Sequence, residues 1–195
     1  MYAYPNIFAT NGQQIIADRK KYIYILLLSY PDNFSRVFRF FSRCKYSHAS
    51  IGVSDSDWTF FSYVLKGFRT EYPKKHTTFK KREVRCRLYR LEVTDETYDV
   101  TKAALEDHVQ QSHKCKFSYL ALMLCYLRIA YPLKHKYICS QFVSEILHKV
   151  QAVPLKKHYS LYLPDDFMRM SELDLCFAGN LSQLMNPMIP APFAC

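Results

Sequence analysis

The run "KYIYILLLSY", residues 21–30, restricts the possible folds of this chain more than any other stretch. Its residues are apolar at both alternating positions and rich in β-formers, so as a strand it needs cover on both faces of a sheet. Partner strands follow at short distance. "YSHASIGVS" (46–54) alternates, with Ala49, Ile51 and Val53 on one face and His48, Ser50 and Gly52 on the other, the pattern of a half-buried strand. "SDSD" (54–57) turns the chain into "WTFFSYVL" (58–65), read as its antiparallel neighbour. A further strand, "VRCRLYRLEVT" (84–94), has alternating arginines that suggest one solvated face.

Helical signals lie between and after these strands. Asp32 and Asn33 form a turn and N-cap, and "FSRVFRFFSR" places Phe34, Val37, Phe38 and Phe41 at helical spacing. Thr94 and Asp95 cap a helix from about 96 to 111, with Tyr98, Thr101, Leu105 and His108 on one side. A second helix covers about 117–130 and ends near Pro132. A third begins at Cys139, where Cys139, Phe142, Val143, Ile146, Leu147 and Val150 form one continuous stripe. "LPDDF" (163–167) reads as a turn with a helix start, and the remainder as irregular. Strands first and helices later indicate an α+β fold, with residues 1–20 as an irregular N-terminal extension and 21–195 as a single domain.

A chain of 195 residues, 49% of them hydrophobic, is long enough to bury a core without staples. Seven cysteines without a CxxC pair point to free thiols in a reducing compartment. The first residues lack the pattern of a secretory signal, and the most apolar windows, 22–28 and 119–127, are too short to span a bilayer. A soluble, cytoplasmic protein is the expectation. Net charge is +10, and between Lys66 and Arg90 ten basic residues face two acids. Lys74, Lys75, Lys80, Lys81 and Arg82 are the centre of this patch, which suits an anionic partner surface or a solvated loop and strand edge. No nucleic-acid motif accompanies it, so nucleic acid is not the expected partner.

Several chemistries drop out early. Four glycines supply no phosphate loop or dinucleotide fingerprint, and neither a GxSxG elbow nor an HExxH helix is present. His108, His113 and Cys115 are spaced poorly for a shared metal, and no metal or cofactor is expected. A thiol and an imidazole remain. Cys139 at a helix start is either a small core residue or a nucleophile activated by the helix terminus and a histidine. His48, on its strand, and His135, four residues before the cysteine, are the candidate partners. The backbone N–H of Cys139 would be available to a developing oxyanion.

"YSHASIGV" followed much later by "YICSQFVSEIL" resembles the circularly permuted NlpC-like branch of the papain-fold cysteine peptidases, the YiiX-like group, in which the histidine strand precedes the cysteine helix. The likeness runs from about Tyr22 to Leu181 and includes a closing "LPDDFMRM…CFAGNL". It implies a small antiparallel sheet or half-barrel packed on a helical subdomain that carries the cysteine helix. Cys139 would be the nucleophile, His48 the general base, and Ser62 in "TFFSYV" the residue orienting the imidazole, where related sequences often have an acid. Glu71 is a possible substitute for that acid. Tyr46 and Ser140 would line the substrate pocket or oxyanion site. The implied activity is hydrolysis of an amide or peptide-type bond through a thioester. Two other readings stay open: a lipid acyltransferase of the lecithin:retinol acyltransferase type acting on a lipid or lipid amide, whose Asn-Cys-Glu-His run is missing here, and an inactive papain-like binding module.

Overall fold

The computed structural model describes residues 20–53, 58–75 and 77–186. The N-terminal extension and the "SDSD" turn lie outside the described residues. The chain is α+β. In order, β1 (Lys21–Ser29), α1 (Asn33–Ser42), β2 (His48–Gly52), β3 (Phe60–Val64) and β4 (Gly67–Glu71) lead into a small hairpin of β5 (Thr78–Phe79) and β6 (Arg82–Glu83). After it come β7 (Arg85–Val93), α2 (Asp95–Gln111), β8 (Lys116–Phe117), α3 (Tyr119–Tyr126), β9 (Lys136–Tyr137) and α4 (Cys139–Lys149). Two 3-10 turns (Tyr159–Leu161 and Pro164–Arg169) precede β10 (Asp174–Asn180) and the short α5 (Leu181–Leu184).

Six strands form one antiparallel sheet in the order β10-β7-β1-β2-β3-β4. The register sorts side chains between two cores. Ile23, Ile25, Leu27, Ala49, Ile51 and Tyr63 meet Phe142, Val143, Ile146 and Leu147 of α4 on one face. Tyr24, Leu26, Leu28, Phe60, Cys86 and Leu88 meet Trp58, Leu181 and Leu184 on the other. The two-sided demand of "KYIYILLLSY" is met in this way: Tyr22 to Leu28 are all buried.

The same arrangement corrects four expectations. β2 is buried on both faces, because the face that carries His48 and Ser50 also has a core above it. β7 likewise has no wholly solvated face: Tyr89 and Leu91 enter one core, Cys86 and Leu88 the other. Helix α3 is shorter than 117–130, its N-terminus capped by Ser118 Oγ accepting from Ala121 N–H at 3.1 Å. The tail read as irregular contains β10, which pairs with β7 and extends the sheet. The apolar stripe of α1 forms at the expected spacing, but it faces outward: only Ser35 and Phe38 of that helix are buried.

Candidate active site

His48 opens β2, opposite Leu28 of β1, on the face of the sheet that carries the second core. Cys139 is the first residue of α4, whose apolar stripe lies on the other core beside β2 and β3. The two meet at the end of β2, in the wall of a cavity of about 590 Å³. Phe34, Tyr63, Val64 and Phe117 contribute apolar walls, and Lys66, Arg69 and Glu71 polar ones.

Glu71 completes the group. A two-residue turn, Leu65-Lys66, returns β3 into β4, and Gly67 at its end adopts φ +109°, a conformation strained for any residue with a Cβ. β4 then pairs with β3, Phe60 opposite Glu71 and Ser62 opposite Arg69. β3 lies between β2 and β4 in the sheet, and the imidazole and the glutamate side chain nevertheless meet at its end. His48 Nε2–H donates to Glu71 Oε1 at 2.8 Å, with both residues buried. Glu71 Oε2 is also buried and has no hydrogen-bond partner among the described residues.

Burial disfavours a charged imidazole, but the Glu71 carboxylate and the hydrogen-bonding Cys139 thiol act in the opposite direction and push the His48 pKa up to about 10. The ring is therefore held as imidazolium at neutral pH. Tyr30, another wall residue, stacks at a tilt 6.0 Å from the His48 ring, and burial, reinforced by the nearby Glu71 charge, raises its pKa and keeps its hydroxyl protonated.

The start of α4 differs from the other long helices. Asp32, Thr94 and Ser118 cap α1, α2 and α3 with their side chains, whereas Ile138 at the start of α4 offers no capping side chain. The first-turn N–H groups beside Cys139 are thus not taken by a cap, and a helix start with uncapped donors favours negative charge.

Three assignments need correction. Ser62 does not hold the histidine: its hydroxyl donates to Ala49 O at 2.6 Å, tying β3 to β2, and Glu71 takes the ring nitrogen instead. Ser140 Oγ donates to Tyr162 O at 2.6 Å inside the core and does not line the cavity. Tyr46 belongs to the core that packs on α4, with its backbone N–H donating to Asp165 at 3.0 Å, and is not a cavity wall. Of the two candidate histidines it is His48 that hydrogen-bonds Cys139; His135 Nδ1 lies 3.8 Å from Cys115 Sγ and the residue does not line the cavity. His108 is packed among Tyr63, Tyr137 and Phe142, and no group of three metal-ligand side chains forms among the described residues. Lys74, Lys75, Lys80, Lys81 and Arg82 are all exposed around the β5–β6 hairpin, whose Phe79 reaches the cavity wall.

Tyr30 and Arg69 escaped the sequence reading, since nothing in their spacing ties them to His48. Glu71 was named as the possible substitute for the acid, and Gly67, with no other glycine between Gly52 and Gly179, marks the turn that returns β4 to the site. No family model matches the chain, and no curated protein matches its sequence.

Proposed function

We propose that the chain is a cysteine hydrolase of the permuted NlpC-like kind, cleaving an amide or peptide-type bond through a thioester. The observation that carries this reading is the His48–Glu71 bond at 2.8 Å beside Cys139 at an uncapped helix start, all three in one cavity wall. An imidazolium oriented by a carboxylate and placed against a thiol is the arrangement that stabilises a thiolate nucleophile.

The Cys139 thiolate attacks the substrate carbonyl carbon and forms the C–S bond. Negative charge that develops on the carbonyl oxygen turns toward the first-turn N–H groups of α4. As the C–N bond breaks, His48 gives its proton to the leaving nitrogen. Acylation removes the charge on sulfur, and with it one of the influences holding a proton on His48. The neutral ring then accepts a proton from the attacking water, the C–S bond breaks, and the acid product leaves. Glu71 keeps the ring oriented throughout.

The inactive-module reading drew on a serine as third residue; with a carboxylate on the ring, that ground is gone. Transfer of the acyl group to an acceptor other than water uses the same thioester, and the apolar walls from Phe34, Val64 and Phe117 favour a substrate with an apolar chain.

Incubation with p-nitrophenyl acetate, followed by peptide mass mapping, tests the reading. An acetyl thioester on Cys139, removable by hydroxylamine and missing in His48→Ala, is expected. Acetyl groups spread over lysines, with none on Cys139, would refute it.

A further inference from the structure

Ten of the fifteen exposed large apolar side chains among the described residues fall in two short segments, residues 33–47 and 114–136. Phe40 and Phe41 of α1 are the most open of these, at 78% and 69% exposure, and their rings meet edge to face at 5.3 Å. The segments form one surface. Phe34 contacts Phe117 and Tyr119 at ring separations of 6.5 and 6.4 Å, and Tyr126 reaches Phe38 O.

Charge within the two segments has one sign, and the carboxylates at their edge, Asp32 and Asp165, are engaged by the α1 N-terminus and by the Lys45 and Tyr46 N–H groups. Residues 33–47 contain four basic residues and residues 114–136 contain five, with no Asp or Glu in either. Monomeric proteins rarely leave such a patch open without a use, and an apolar face flanked by an excess of basic side chains is complementary to anionic headgroups above an acyl layer. The patch runs into the cavity through Phe34 and Phe117. Across the mouth, the β5–β6 hairpin supplies a second basic edge. Lys80 and Lys81 form its tip in left-handed backbone conformation, φ 49° and 63°, where turns usually place Asn or Gly.

We propose that the face built from α1 and residues 114–136 docks on an anionic lipid bilayer, with α1 lying in the headgroup plane and the cavity opening toward the membrane. No described helix is long and apolar enough to cross a membrane, so the contact is a surface one. Docking of this kind does not use the thiol chemistry proposed above, and it stands or falls separately.

Co-sedimentation of the full chain with vesicles of phosphatidylcholine, alone or mixed with phosphatidylserine, tests it. Binding that requires phosphatidylserine and weakens as salt is raised is expected. F40S/F41S should lower the partition by about tenfold, and R36Q and R43Q by about fivefold each. Cys139→Ala should bind like the unaltered chain, which separates this result from any failure of the hydrolase reading. The proposal is overturned if the full chain does not sediment with the anionic vesicles, or if F40S/F41S binds them equally well. It is also overturned if F40S/F41S dissolves a lipid-free dimer, which would assign the face to a second copy. A large loss of thermal stability in that variant would mean that the chain itself covers the face.

Discussion

Helices α1 and α4 carry apolar side chains at the same spacing: Phe34, Val37, Phe38 and Phe41 on one, Cys139, Phe142, Val143 and Ile146 on the other. On α4 all four are buried; on α1 only Phe38 is. The difference lies in the polar residues between them. α4 interleaves Ser140, Gln141 and Ser144, whose side chains donate to Tyr162, Ser160 and Tyr159 carbonyls, so the helix can be enclosed on several sides. α1 interleaves Arg36 and Arg39, and an arginine is rarely buried without a charged partner. Periodicity tells which residues share a face; the burial cost of their neighbours decides whether that face turns inward.

Substitutions at matched positions should separate the two helices. The largest expected loss is at Phe142, which is fully buried against Tyr63, Phe68 and His108. Phe142→Ala should cost about 3–5 kcal/mol in urea unfolding, the range for a large aromatic truncated in a core.

Next comes the charge that orients the ring. Glu71→Gln should lower the rate of Cys139 acylation by about a hundredfold. It should also change the dependence of stability on pH. Because His48 titrates near 10 in the folded chain against 6.5 when unfolded, its contribution is complete below pH 6.5 and is lost as pH rises through about 10. The fall in melting temperature across that window should therefore be smaller in Glu71→Gln, and an unchanged fall would remove Glu71 from the site.

A smaller effect is expected at Ser62. Removing its bond to the Ala49 carbonyl in Ser62→Ala should cost about 1 kcal/mol of stability while leaving the acylation rate close to that of the unaltered chain. A rate loss matching that of Glu71→Gln would restore Ser62 to the catalytic group. Smallest of all, Phe41→Ala on the open face of α1 should move stability by no more than about 0.5 kcal/mol, in direct contrast to Phe142→Ala.

The fold class, the two-sided strand β1, the capped helix α2 and the cysteine helix were legible because each rests on local chemistry: apolar runs, a Thr cap, a helical stripe. His48 and Cys139 were legible as a pair only through their order along the chain. Glu71 was harder to place, because its approach to His48 depends on β4 folding back across β3, a long-range pairing announced by little more than Gly67. Ser62 misled for the same reason. Its position on the strand next to β2 is correct, but the hydroxyl is satisfied by the nearer carbonyl of Ala49, and a longer side chain on the following strand reaches the ring. Tyr46 and Ser140 flank site residues in sequence, yet one is packed in the core and the other is bonded to a carbonyl behind its helix. Adjacency along the chain does not carry a side chain into a cavity.

The most direct test of the central claim is the rate at which each cysteine reacts with iodoacetamide at neutral pH, read by peptide mass mapping. Burial pushes the Cys86 and Cys125 thiols up to about 12, so both should be inert, while Cys176 is more exposed than Cys139 and would react first if access alone decided. The account predicts that Cys139, only 7% exposed, is alkylated faster than Cys176, and that His48→Ala abolishes this advantage. Cys139 reacting no faster than Cys176, or equally fast without His48, would contradict it.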